Sequence, residues 1–327
     1  MSEALARFQT NEGKTYQIYP EIANEKVHFT NRFGITIVGD IFYPSTFSAD
    51  KKYPAIVVSH PHGGVKEQSG GLYAQEMATK GYVTLAIDLS YNGESGGTAR
   101  HISTPEGFVE DIIAAIDYIG TRNFVDREHI GLIGICGSGG FAVSAACFDP
   151  RIKAVATISM YDMGKATRQG IGNAISLDER KRILQHVAEQ RWNEFTGAPI
   201  EYTGTFPRVI TEDLLEAADP ISREFMEYYC TKRGRHIHST GQITINSTVA
   251  LMSFYPFANM DLLAGRPILI ISGDISHSRE FSEDCFQQAQ EPKELYLVPG
   301  ASHTDLYDDK DKIPFAKLTD FFNAALK

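Results

Sequence analysis

The run Gly134-Ile135-Cys136-Gly137-Ser138 sets a thiol between two glycines where an apolar stretch ends and a helix-length segment begins. A nucleophile raised on a strained strand-to-helix turn needs small neighbours, because backbone packs tightly around it. The helix that follows points its N-terminus at the same spot, and its partial positive charge favours a thiolate and then an oxyanion. The usual pattern is G-x-S-x-G; here Cys136 holds the centre and Ser138 the place of the last glycine. A second register, Cys136-Gly-Ser138-Gly-Gly140, would make Ser138 the nucleophile. Cys136 is preferred, because Gly134 lies two residues before it and the apolar strand ends at Ile135, which leaves Ser138 inside the first helical turn.

A thiol at its free pKa needs a base. In strand-elbow-helix sites of this kind the histidine comes late, after the last strand. Val298-Pro-Gly-Ala-Ser-His303 supplies a strand, a Pro-Gly break and a histidine. The acid should follow the penultimate strand, and Asp274 ends Ile268-Leu-Ile-Ile-Ser-Gly-Asp274, with Glu283 and Asp284 as rivals on the next helix. An oxyanion hole would pair the amide of Gly137 with one from His60-Pro-His62-Gly63-Gly64; Pro61 has no N–H, so His62 is chosen and Gly63 is the alternative. His60 and Gly63, with Tyr91 of Asp88-Leu-Ser-Tyr-Asn-Gly-Glu-Ser-Gly-Gly97, are the candidate substrate contacts, although the latter run also reads as a plain turn. No third ligand accompanies His60 and His62, so no metal is expected, and no cofactor motif is present. His236-Ile-His238 lies in a basic run (232–238) that suits a solvated face or an anionic substrate.

These residues need a scaffold. Short apolar runs at 55–59, 82–87, 130–135, 154–158, 267–271 and 294–298 alternate with helix-length segments, as in a mostly parallel sheet covered on both faces. An alternating pair at 25–30 and 35–43 predicts a leading hairpin. Thr104 and Pro105 open a helix with Phe108, Ile112, Ala115, Ile116 and Ile119 on one face, and another helix runs from about 314 to 325. Between Tyr161 and Ala258 the rhythm breaks into charged, aromatic, helical sequence, too long for a loop. It is read as a mainly helical cap, residues 161–258, inserted into a core formed by 1–160 and 259–327.

The 327 residues carry a net charge of −10, which argues against nucleic acid as a partner. No stretch approaches the roughly 20 apolar residues of a membrane span, and the N-terminal residues have no apolar run. Four scattered cysteines without a CxxC pair suit a reduced, cytoplasmic protein. A small molecule is the expected partner, and the apolar surfaces of the cap suit a homodimer.

The segments HPHGGVKEQ (60–68), DLSYNGESGG (88–97), GICGSGGFA (134–142), HSREFSED (277–284) and KELYLVPGASHTDLYD (293–308) together resemble the dienelactone-hydrolase-related α/β hydrolases. They are most similar to the YcjY-like subgroup, which includes fungal polyketide transferases and thiohydrolases. The resemblance implies the α/β-hydrolase fold and a Cys–His–acid triad, carried onto Cys136, His303 and Asp274; family members vary at the acid. The expected activity is hydrolysis of an ester, lactone or thioester through an acyl-enzyme. Acyl transfer on the same site, or ligand binding without catalysis, are the alternatives. Aromatic stretches such as Phe254-Tyr-Pro-Phe257 favour a hydrophobic acyl or aromatic group.

Overall fold

In a computed structural model the protein is described over residues 13–204, 206–207 and 209–327. Eight strands form one sheet: β1 (Asn24–Thr30), β2 (Thr36–Phe42), β3 (Tyr53–Ser59), β4 (Val83–Ile87), β5 (Val125–Ile135), β6 (Ile152–Ile158), β9 (Ile268–Gly273) and β10 (Lys293–Val298). Their order is β1-β2-β4-β3-β5-β6-β9-β10. β2 runs antiparallel to its neighbours β1 and β4, and the strands from β4 to β10 are parallel to one another. The hairpin and the parallel strands match the sequence pattern.

The central strands are buried along almost their whole length because helices cover both faces. Helices α1 (Gly71–Thr79) and α11 (Phe315–Leu326) pack on one face; α2 (Pro105–Gly120) and α3 (Gly137–Phe148) pack on the other. The Thr104 hydroxyl accepts the Gly107 amide at the start of α2, and Pro105 occupies its first turn, as the sequence signals. Gly131 of β5 has no room for a side chain: a Cβ there would stand 2.7 Å from the Phe322 ring of α11.

Strand order reverses at β3. From it the chain goes to β4 on one side and later returns to β5 on the other. The carboxyl ends of β3 and β5 therefore lie side by side, with Ser59 paired to Gly134, and the loops that leave them diverge to form the crevice where such sheets bind ligands.

Between β6 and β9 the chain leaves the sheet. This insert carries α4 (Met163–Gln169), α5 (Leu177–Phe195), α6 (Glu212–Ala217), α7 (Pro220–Tyr229), α8 (Ser247–Met252) and the paired strands β7 (Tyr202–Thr203) and β8 (Ile243–Thr244). α5 buries only Val187 and Gln190, which accounts for its strongly charged sequence. Helices α9 (Arg279–Gln288) and α10 (Asp305–Asp308) follow β9 and β10. Among the described residues, no helix is long and apolar enough to cross a membrane.

Candidate active site

Cys136 has φ +55° and ψ −123°, a conformation that side chains other than glycine avoid. The turn is held from several sides. The Cys136 amide donates to Ile158 O (2.9 Å), while its carbonyl accepts from the amides of Gly139 (2.8 Å) and Tyr161 (2.9 Å). The flanking glycines have steric reasons. A Cβ on Gly134 would lie 2.3 Å from Ser138 O, and one on Gly137 would lie 2.6 Å from the His62 Cβ.

Ser138 is buried and faces inward. Its hydroxyl donates to the His60 carbonyl (2.5 Å) and lies 2.9 Å from Ser59 Oγ. It ties the first turn of α3 to the end of β3. The backbone amides of Gly137 and His62 both direct hydrogen bonds at the Cys136 sulfur. Burial pushes the thiol up to about 11, although the Tyr307 hydroxyl and these two amides oppose the shift. Cys136 is thus a neutral thiol at pH 7.

His303 follows β10 and is fully buried. Its Nε2 lies 2.8 Å from the Tyr307 hydroxyl, which also hydrogen-bonds the Cys136 sulfur. Its Nδ1 lies 2.6 Å from Ser278 Oγ. Burial, and next the neighbouring His277, hold His303 well below the ordinary histidine range. The imidazole is therefore neutral, and a serine rather than a carboxylate touches its far nitrogen.

Asp274, expected to be that carboxylate, points elsewhere. Its Oδ1 accepts the Gly300 amide at 2.7 Å, bracing the turn after β10. The chain then turns at 273–276, so Ser278, four residues on, meets the ring. The rivals are also engaged away from the ring: Glu283 pairs with Arg279 (2.7 Å) and Asp284 with Lys165 (2.5 Å).

The other sequence candidates divide. His62 supplies its amide to the sulfur, and its Nε2 lies 2.6 Å from Ser103 Oγ. His60, read as a substrate contact, is fully enclosed: Nδ1 donates to Pro61 O (2.7 Å) and Nε2 accepts the Leu89 amide (3.1 Å). Both ring nitrogens are consumed by backbone, so it shapes the loop instead. Gly63, at φ +78°, presents its carbonyl to Ser239 of the insert (2.8 Å). Tyr91, at φ +68°, exchanges backbone bonds with Gly96 and His101, and its ring lies over Gly97. Both hold loop geometry.

The glycine-rich run containing Tyr91 is anchored by Asp88, whose carboxylate accepts the amides of Lys66 (2.8 Å) and Glu94 (2.9 Å). The carboxylates of Glu67, Asp88 and Glu94 converge closely enough to hold a cation, and the buried Lys66 ammonium bonds all three. Burial alone would lower Lys66, but Asp88 and Glu67 outweigh it and keep the ammonium charged. The basic run 232–238 is partly spent internally, with Arg233 paired to Asp308 at 2.8 Å.

Three residues near His303 were not singled out by the sequence. Tyr307 follows it by four residues on α10 and is fully buried. His277 stacks on the His303 ring, with centroids 4.7 Å apart and planes at 28°. Glu224, from α7 of the insert, accepts from the Thr304 amide (2.7 Å) and lies 2.9 Å from His277 Nδ1. The i, i+4 spacing was the one available signal for Tyr307. Tyr161, Phe225 and Tyr229 complete an aromatic wall, with Tyr161 and Phe225 at 5.2 and 5.4 Å from the His303 ring. A surface cleft of about 270 Å³, bordered by Tyr16, Leu72, Tyr228 and Arg233, reaches Tyr307.

The strand-turn-helix elbow at a switch point of a mostly parallel sheet, followed by a loop bearing His303 after the last strand, is the arrangement of an α/β hydrolase. The chain belongs to the dienelactone hydrolase family, whose model matches residues 43–190, and it is a hydrolase. It is similar to the uncharacterised protein PA2218 of Pseudomonas aeruginosa, 41% identical over 96% of this chain and 84% of that one. The crystal structure of PA2218 superimposes with a TM-score of 0.90 over 96% of this chain and 97% of the other. YcjY of Escherichia coli, also uncharacterised, is 34% identical over 93% of this chain and 99% of its own length. The acyltransferase drtE of Aspergillus calidoustus is 26% identical over 91% and 94%.

Proposed function

We propose that the protein hydrolyses a thioester or activated ester through an acyl-Cys136 intermediate, with the helical insert serving as the cap over the site. One observation carries this reading: the Cys136 sulfur, on a strained elbow, receives two backbone amides and is linked through the Tyr307 hydroxyl to the buried His303.

As the sulfur attacks the carbonyl carbon, its proton passes to Tyr307 and the Tyr307 proton passes to His303 Nε2. The charge that develops on the carbonyl oxygen is taken up by the Gly137 amide at the head of α3 and the His62 amide in the loop after β3, each worth roughly 10²–10³ in rate. The imidazolium returns its proton to the departing thiol or alcohol. Water, deprotonated by His303, then attacks the acyl-cysteine; the C–S bond breaks, the imidazolium returns its proton through Tyr307 to the Cys136 sulfur, and the acid is released. A thioester suits a cysteine nucleophile because acylation exchanges one thioester for another. The aromatic wall of Tyr161, Phe225 and Tyr229 suits a hydrophobic or aromatic acyl group. Phe254 packs on Phe141 of α3 and Phe257 is buried.

Acyl transfer to an alcohol or amine is the second reading, supported by the relative named an acyltransferase and by the enclosure of Cys136. The test is mass spectrometry of the protein after short reaction with p-nitrophenyl esters and acyl thioesters. An acyl adduct on Cys136, absent from Cys136→Ala together with turnover, is expected. Undiminished turnover in Cys136→Ala overturns the proposal. Adding an alcohol acceptor and measuring acid against ester product separates hydrolysis from transfer.

A further inference from the structure

His303 must become positively charged during the reaction, yet the group on its Nδ1 is the neutral Ser278, whose own hydroxyl neighbour is Ser276 Oγ at 3.0 Å. The carboxylates of the turn and helix after β9 are committed elsewhere: Asp274 to the Gly300 amide, Glu283 to Arg279, and Glu280 and Asp284 to Lys165. One carboxylate does reach this corner, and it comes from the insert. Glu224 straddles the histidine loop. Oε1 accepts the Thr304 amide, the Ser302 hydroxyl also bonds the carboxylate, and Oε2 holds Nδ1 of His277, whose ring lies flat on that of His303.

We propose that Glu224 is the positioning residue that replaces the triad acid: its charge, delivered across the stacked His277, steadies the imidazolium of His303. The inference rests on the acyl-Cys136 reading above. The remaining groups around the two rings are accounted for. His277 Nε2 meets the Tyr161 hydroxyl at 2.7 Å, and Phe225 of α7 closes the edge of both rings. Tyr307 occupies His303 Nε2. Arg233, which binds the Thr304 carbonyl at 2.7 Å, has its charge matched by Asp308. Of the charges that act directly on His303, His277 disfavours its protonation and Glu224 favours it. Burial would raise its pKa, but the bonds from His277, Thr304 and Ser302 win and hold it at about 2, so it stays ionised across the working range. Because α7 belongs to the insert and His303 to the core, the base reaches full strength only when the insert is seated.

The test compares wild type, Glu224→Gln and Ser278→Ala in pH profiles of kcat and kcat/KM with a p-nitrophenyl ester. Glutamine keeps an acceptor for Thr304 and removes the charge. In Glu224→Gln, kcat should fall about 10- to 100-fold, the equivalent of one to two pKa units of lost stabilisation, with KM nearly unchanged. The acid limb of kcat/KM should move to lower pH, since His303 loses the charge that favours its protonation. Ser278→Ala should lower the rate without moving the limb. An unchanged limb in Glu224→Gln, whether or not the rate falls, overturns the proposal. Cys136→Ala, run alongside, tests the underlying reading separately, because its failure shows as retained turnover.

Discussion

Tyr307 places its hydroxyl 2.8 Å from the Nε2 of His303, one turn earlier in the chain, and the same hydroxyl bonds the Cys136 sulfur. The proposed nucleophile and base are thereby joined through a phenol. Tyr307→Phe should cut kcat by about 10- to 100-fold, in the range of a lost proton-transfer partner. It should also slow alkylation of Cys136 by iodoacetamide at fixed pH, because the hydroxyl lowers the thiol pKa. Alkylation as fast as in wild type would remove Tyr307 from the path.

The thiol itself gives a second measurement. With a pKa of about 11 it is protonated at neutrality, so inactivation by iodoacetamide should climb about tenfold per pH unit between pH 7 and 10. A plateau already reached at pH 7 would mean a preformed thiolate–imidazolium pair instead.

Ser138 separates the two registers of the elbow. Ser138→Ala leaves the His60 carbonyl and Ser59 hydroxyl with one partner fewer and should cost about 1–3 kcal/mol in denaturant unfolding. Acylation of Cys136 should persist in that variant. Loss of the adduct with stability unchanged would return Ser138 to the chemistry.

His236 sets a stability difference at acid pH. Burial, and next His238, lower its pKa to about 4, and its Nδ1 accepts the His238 amide at 3.2 Å. Above pH 6.5 the ring is neutral in both states and no penalty arises. As the pH falls from 6.5 towards 4, the unfolded chain takes up a proton that the folded chain refuses, and stability is lost by up to about 1.4 kcal/mol per pH unit. His236→Gln, which cannot titrate, should show a shallower decline over this window in urea unfolding. Parallel curves would contradict the shift.

Much of the frame was legible because it is written in local patterns. The apolar runs of β3–β6 and β9 are continuous where helices cover both faces, and Gly134 and Gly137 mark the elbow because nothing larger fits. The surroundings of the base were not. Asp274 stands at a strand end, where an acid belongs, but four residues of turn carry Ser278 to His303 in its stead. Glu224 lies 80 residues before Thr304, in a helix with no pattern linking it to the histidine loop. His60 and His62 look alike in sequence, two residues apart. The backbone bonds that consume both nitrogens of one and leave the other beside the sulfur arise only from tertiary packing.

The pairing of Ser59 with Gly134 has one more consequence. The two amides that meet the sulfur lie just beyond the carboxyl ends of these adjacent strands, Gly137 two residues past β5 and His62 three past β3, so the register of β3 against β5 helps set their spacing. If the proposed chemistry holds, a chain that exchanged its insert for another would keep this corner while changing which acyl groups enter and how strongly Glu224 acts on the base. On that reading carbonyl activation resides at the sheet edge, and substrate range and base strength reside in a replaceable part.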